Sequence, residues 1–287
     1  MLHGGKPVFV DVRNDTLNLN PELVESAITP RTRAICIVHY AGVGATPDRF
    51  RDIADRHGLV LIEDNAHGLY ATWRGKTLGT FGQLSTLSFH ATKNITCGEG
   101  GALHINHPQY VERAEILRDK GTDKSRFLRG ETSKYTWVDV GSSWMISDLL
   151  AAVLVGQLER FREIQDRRRA IWNRYHQAFS EWAFSGGVRL PAIPDEADHT
   201  SHMYHMRFDS LQARTRFLNH TRSKGIAAVI HYQPLHLSTV GEKLGGRLGD
   251  CPVSEDAGDT LARLPIFTGL GDDELDHIIE SVTSFAA

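Results

Sequence analysis

Three short apolar runs set what this chain can fold into. Residues 34–39 (AICIVH), 59–62 (LVLI) and 84–89 (LSTLSF) each read as a strand. Helical patterns lie among them. Pro47 opens a helix over 48–57, and residues 108–120 place Val111, Ala114 and Leu117 on one helical face. Strands alternating with helices predict an α/β fold with a mostly parallel sheet covered on both faces. The run 34–39 is apolar throughout, which predicts burial on both of its faces. A strand over 7–12, ending at Asp11, a helix over 22–28 entered through Asn20 and Pro21, and a strand over 102–105 extend the pattern.

The ends of two strands carry the chemistry. The run 84–89 passes into a small polar loop that presents Lys93 and then turns on Gly98, Gly100 and Gly101. The run 59–62 leads directly into Glu63 and Asp64. A lone lysine in a loop is ordinarily just solvated. Here it sits past the end of a strand, where α/β proteins place ligands, and a carboxylate is delivered to the same kind of edge. Pyridoxal phosphate needs this pair: an amine to join its aldehyde carbon and a carboxylate to pair with its ring nitrogen. Gly42 and Gly44 also follow a strand, but position 47 is proline where a dinucleotide loop has its third glycine.

The stretches IEDNAHG (62–68) and GTFGQLSTLSFHATKNITCGEGGAL (79–103) resemble the DegT/DnrJ/EryC1/StrS sugar-nucleotide aminotransferases. Segments 8–29, 38–43, 118–130, 134–152 and 231–236 carry the same likeness, which runs from one end of the chain to the other. The resemblance implies a pyridoxal-phosphate-dependent transferase of fold type I, like aspartate aminotransferase. Its three-layer α/β/α large domain would occupy 1–158, and a small α+β C-terminal domain with a linking helix 159–287. It further implies that the chain, starting Met1-Leu2-His3, begins inside the large domain. The first strand and helix, a Thr/Ser-Ala phosphate turn and a ring-stacking aromatic would then be missing.

By the same resemblance Lys93 is the catalytic lysine, which binds the cofactor and moves the proton. Asp64 faces the pyridine nitrogen, His67 lies near the ring hydroxyl, and Ser88 binds the phosphate. Dehydratases of the group carry histidine in place of the lysine, so Lys93 argues against that branch. Arg126 and Arg129 are candidate partners for a sugar-nucleotide diphosphate, since guanidinium binds phosphate bidentately. Where some relatives carry an asparagine that reaches across a dimer, this chain has Met145.

The expected reaction moves an amino group from L-glutamate to a dTDP-4-keto-6-deoxyhexose, giving a dTDP-4-amino-4,6-dideoxyhexose for cell-surface polysaccharide, in a homodimer. Other readings share these residues: a truncated copy that cannot hold the cofactor, an enzyme for another keto sugar nucleotide, and a nucleotide-binding protein without the cofactor.

Composition narrows the field. A net charge of −3 gives no electrostatic case for nucleic acid. Three scattered cysteines, Cys36, Cys97 and Cys251, suit a reducing cytoplasm better than a disulfide scaffold. The longest apolar run, 149–155, is far short of the ~20 residues that cross a bilayer. No signal-peptide pattern opens the sequence. His199, His202 and His205 cluster, but no cysteine or acidic partner completes a metal set. A helix over 147–182, basic in its second half, reads as a solvated link. Beyond it, strands over 204–208 and 227–231 and helices over 211–224 and 272–285 outline the smaller unit.

Overall fold

In the computed structural model, which describes residues 4–286, the three apolar runs lie side by side. Strands β1 (Ala34–Val38) and β2 (Val60–Asp64) pair in parallel, with Val38 opposite Asp64. β3 (Thr72–Trp73) and β4 (Lys76–Thr77) form a small hairpin turning on Arg74 and Gly75. β5 (Leu84–Ser88) returns parallel to β2, with Asp64 opposite Thr86. β6 (Gly101–Ile105) runs antiparallel to β5, giving the order β1-β2-β5-β6. The departure of β6 from the parallel pattern has a local cause. Residues 89–100 fold back on themselves, Phe89 N–H to Gly100 O at 2.8 Å and Cys97 N–H to Phe89 O at 3.0 Å, instead of making a helical crossover.

Helix α1 (Pro21–Ala27) starts at Asn20, whose side chain accepts from the Glu22 N–H. Helix α2 (Pro47–His57) buries Phe50, Ile53 and Ala54 against Ile35, Ile37 and Leu61 of the sheet. The opposite face of β1 is exposed, so the strand alternates in burial and is not buried on both sides. The stretch over 108–120 is helical only in α3 (Val111–Arg118), after one 3-10 turn, and α4 (Lys124–Leu128) follows within the polar segment. Residues 7–12 form no strand. Among the described residues they join no strand, Val12 making only an isolated antiparallel bridge to Leu19, and Asp11 is drawn elsewhere: its carboxylate accepts from the N–H groups of Val253 and Ser254 and from the Ser254 hydroxyl.

The single helix expected over 147–182 is two. α5 (Asp148–Glu159), capped by Ser147, ends at Arg160, and α6 (Phe161–Gly186) begins there. They share one core at their junction, where Phe161 and Ile164 of α6 join Leu150 and Leu154, and then diverge. Leu150 and Leu154 of α5 pack with Leu87, Phe89 and Cys97, whereas Ile171, Trp172, Tyr175 and Phe179 of α6 pack with the C-terminal half. The basic stretch is not merely solvated. Arg168 is buried and donates to His202 O (2.6 Å) and Ile266 O (3.2 Å), Arg167 pairs with Asp272, and Arg169 with Asp198.

β7 (Ala197–Asp198) pairs with β3. The C-terminal half then runs β8 (Tyr204–Arg207), α7 (Leu211–Ser223), β9 (Val229–Ile230), α8 (Thr239–Lys243), α9 (Pro252–Thr260), β10 (Leu261–Leu264) and α10 (Asp272–Thr283). Its sheet has the antiparallel order β8-β10-β9. One face of that sheet, with Tyr204, Met206, Ala262 and Leu264, joins the large core against α6, α7 and α10.

Candidate active site

Successive residues of a strand point to opposite sides, so β2 separates its two carboxylates. Glu63 goes inward and is fully buried. It takes His39 Nε2 at 2.9 Å and the N–H groups of Gly79 (2.8 Å), Phe81 (2.7 Å) and Gly82 (2.6 Å). The Ala45 N–H donates to His39 Nδ1 at 3.2 Å, so the ring proton lies on Nε2 and points at Glu63. Burial pushes the Glu63 carboxyl up, but the hydrogen bonds from His39, Gly82 and Gly79 outweigh it and the net direction is down. Glu63 thus braces the 79–82 turn. Asp64, on the other side, is half-buried and takes the Ala66 N–H at 3.1 Å.

On the neighbouring strand, Ser88 ends β5 opposite Gly101. Its hydroxyl accepts from the His90 N–H at 3.4 Å. Lys93 lies five residues further, in a turn closed by its own N–H to His90 O at 2.9 Å. Burial holds the Lys93 amine below the ordinary lysine range, while the charge of Asp64 pulls the other way. No ion pair within 4.0 Å joins the two among the described residues. Asn94 fixes the loop. It donates to Thr200 O at 2.8 Å and meets His202 Nδ1 at 2.9 Å.

The segment 199–203 ties both strand ends together. Thr200 Oγ1 donates to His67 O at 2.6 Å, and its own carbonyl receives Asn94 and Gln165. The His67 ring stacks on His202, centroids 4.1 Å apart and 18° from parallel. Burial first, then the charge of Lys93, pushes His67 down to about 3, so the ring is neutral. Close packing enforces the arrangement: a Cβ at Gly42 (φ +81°) would lie 1.8 Å from Thr200 Oγ1. Four of the sequence-predicted residues, Asp64, His67, Ser88 and Lys93, thus stand at adjacent strand ends. His90 and Thr92 bond to each other, Nδ1 to Oγ1 at 2.9 Å, beside the lysine.

The sequence model of the DegT/DnrJ/EryC1/StrS aminotransferase family matches residues 1–283. The chain belongs to this family. Among its relatives, the uncharacterised protein MJ1066 of Methanocaldococcus jannaschii is 34% identical over 96% of this chain and 73% of its own length. The spore coat polysaccharide biosynthesis protein SpsC of Bacillus subtilis is 32% identical over 97% and 73%. The solved structure of Spr1654 from Streptococcus pneumoniae, in its PMP-form, superposes with a TM-score of 0.89 at 27% identity, covering 98% of this chain and 76% of that one. The fold is therefore that of the fold-type-I transferases, and this DegT-family chain is an enzyme of the aminotransferase class.

In this member of the family, Arg126 and Arg129 are each held by two glutamates. Arg129 pairs with Glu115 (2.8 Å) and Glu131 (2.6 Å), and Arg126 with Glu131 (3.3 Å) and Glu112 (3.6 Å). A cavity of about 430 Å³ lies at the start of α2. It is lined by Thr46, Trp73 and Arg74 among others, and Arg74 is held by Asp48 and Glu196.

Sequence reasoning missed the roles of Thr200 and His202, and the contacts of Tyr40 with the rings of His67, His205 and His231. His199, weighed with His202 and His205 as a metal ligand, packs edge-on against Trp172, centroids 4.6 Å apart. His202 stacks on His67 and His205 on Tyr40 instead. The usable signal was the position of HYQPLH and of the three histidines beside strands rather than on a helix.

Proposed function

We propose that this protein is a pyridoxal-phosphate-dependent sugar-nucleotide aminotransferase. In this reading it transfers the amino group of L-glutamate to a dTDP-4-keto-6-deoxyhexose, as dTDP-4-amino-4,6-dideoxygalactose transaminase does, for cell-surface polysaccharide. The observation that carries it is that Lys93, its amine held below the ordinary range, follows the strand next to the one that ends in Asp64, whose charge acts on it. Family membership, SpsC as a polysaccharide biosynthesis protein, and the PMP- and PLP-forms of Spr1654 support the same reading.

The residues present fit the cofactor. Asp64 keeps a carboxylate oxygen without a donor among the described residues, and His67 Nδ1 is buried without a partner. Asp64 would accept from the ring nitrogen, Ser88 would donate to the phosphate, and His67 would lie against the ring. Lys93 would hold the aldehyde carbon and afterwards carry the proton between the two carbons that exchange the amine. Bound there, the cofactor supplies an electron sink. A lowered amine pKa keeps the fraction of neutral, nucleophilic Lys93 high. Arg126 and Arg129 would take the diphosphate by releasing their glutamates.

A cytoplasmic homodimer, with a large domain over 1–158 and a small one over 159–287, completes the proposal. No helix among the described residues is long and apolar enough to cross a membrane.

The test is the visible absorbance of the purified chain with added pyridoxal phosphate, then borohydride reduction and peptide mapping. A shifted band trapped as a reduced adduct on Lys93 is expected. Free-cofactor absorbance and no adduct, from a folded sample, would mark an inactive homologue. Amination of a panel of dTDP- and UDP-keto sugars then fixes the substrate.

A further inference from the structure

The turn that carries Lys93 has few holds on the rest of the chain. Among the described residues, Asn94 is the one member of 90–94 whose side chain bonds outside the 88–100 loop. Its Nδ2 donates to Thr200 O at 2.8 Å and to Gln165 Oε1 at 3.5 Å, and its Oδ1 meets His202 Nδ1 at 2.9 Å. With the amide nitrogen turned to two carbonyl oxygens, Oδ1 is left as a pure acceptor. The ring proton of His202 therefore lies on Nδ1 and points at Asn94. The same ring carries His67 on its flat face, 4.1 Å between centroids. One buried histidine thus holds the Lys93 turn by its edge and His67 by its face.

His202 is in turn held from α6. Buried Arg168 donates to His202 O at 2.6 Å, and Gln165 Nε2 donates to Thr200 O at 2.8 Å. Between those two carbonyls Ser201 is fully buried at φ +50°, a left-handed backbone that residues with a side chain seldom adopt. Such a conformation persists where the surroundings over-determine it. The Ser201 N–H donates to His199 Nδ1 at 3.2 Å. Burial first, then His67 and the charges of Arg168, Lys93 and Arg263, keep the His202 ring neutral, so stacking it on His67 brings no charge repulsion.

We propose that His202 and Asn94 are positioning residues of the transamination site, the Nδ1–H to Oδ1 bond fixing the turn that presents Lys93 and the stacked face fixing His67. This rests on the aminotransferase reading, in which Lys93 is the catalytic lysine. The edge and the face of the ring can be tested apart. His202→Asn keeps an N–H donor near the place of Nδ1 and removes the stack. His202→Phe keeps a flat ring and leaves Asn94 Oδ1 without its donor. Asn94→Ala removes the acceptor itself.

The test uses the full chain without cofactor. Lys93 is acylated across a range of pH and the midpoint is read by peptide mass spectrometry, with urea midpoints showing each variant folded. A released turn gives the half-buried amine to water, so His202→Phe and Asn94→Ala should raise the midpoint toward the ordinary lysine value, by about one pH unit or a tenfold smaller neutral fraction. His202→Asn should keep the wild-type midpoint while the His67 ring signals move in NMR. A wild-type midpoint in His202→Phe overturns the proposal. A shift in His202→Asn as large as that in His202→Phe also overturns it, because the ring and not the bond would then support the turn. Should His202→Phe not fold, Asn94→Ala takes its place in both comparisons. Midpoints that move as expected in a chain that never takes up pyridoxal phosphate would sink the proposed function and leave the positioning intact.

Discussion

The ring of His67 lies flat on the ring of His202, 4.1 Å between centroids, and the two come from distant parts of the chain. Both rings are buried and held in the neutral form, His67 at about 3 and His202 well below its ordinary value. The contact joins the loop after β2 to the segment before β8.

This burial of neutral histidines makes stability pH-dependent. The unfolded chain takes up protons on these rings below their ordinary value of 6.5, and the folded chain does so only near 3 for His67 and His205 and near 4 for His231. Stability is therefore fully present above pH 6.5 and falls as pH drops toward 4, by about 1.4 kcal/mol per pH unit for each histidine. Urea midpoints measured across this range should show the fall. His205→Gln should make it shallower, and an unchanged slope would remove His205 from the account.

Asp64 raises the pKa of Lys93 against the effect of burial. Asp64→Asn removes that charge, so the Lys93 amine should titrate lower still. The check is the pH dependence of acylation at Lys93, mapped by mass spectrometry on the cofactor-free chain. A midpoint that stays or rises contradicts the assigned coupling. Cofactor uptake by the same variant should weaken about tenfold or more, through loss of a charge-assisted bond.

Glu63 holds four hydrogen-bond donors in a fully buried place. Glu63→Ala leaves His39 and three backbone N–H groups bare. The expected loss is about 3–5 kcal/mol in equilibrium denaturation, well above that of an average core substitution. A loss under about 1 kcal/mol would mean that water replaces the carboxylate at little cost.

Gly42 packs its bare α-carbon against Thr200 with φ at +81°. Gly42→Ala should cost about 2–4 kcal/mol, by backbone strain and by displacing Thr200 from His67 O. Thermal unfolding measures the first effect. The second appears as altered His67 and His202 ring signals in NMR, beyond what a uniform loss of stability produces.

The placing of Lys93 and Asp64 at neighbouring strand ends was legible because Asp64 closes one apolar run and Lys93 lies in the polar loop just after another. The four residues of β10, LARL, were not legible, because they follow α9 without a turn signal and are too short to show alternation. Residues 7–12 misled for the opposite reason: PVFV reads as a strand, but among the described residues no neighbouring strand receives it, and Asp11 bonds to α9. His202 and His205 are visible in the sequence only as part of a histidine cluster. Their actual surroundings, Tyr40 and His67, lie more than a hundred residues away in sequence, and only the folded register brings them close.

The two carboxylates of β2 are neighbours in sequence but not interchangeable. Among the described residues Glu63 takes four donors and Asp64 one. Because strand faces alternate, deleting one residue between α2 and β2 would move Asp64 into the nest of donors, which its shorter side chain cannot span, and bring Asn65 to the edge position in place of a carboxylate. Frame-preserving length changes in that connection are thus more dangerous than any single substitution within the strand. An evolving lineage can explore the composition of this stretch far more freely than its spacing.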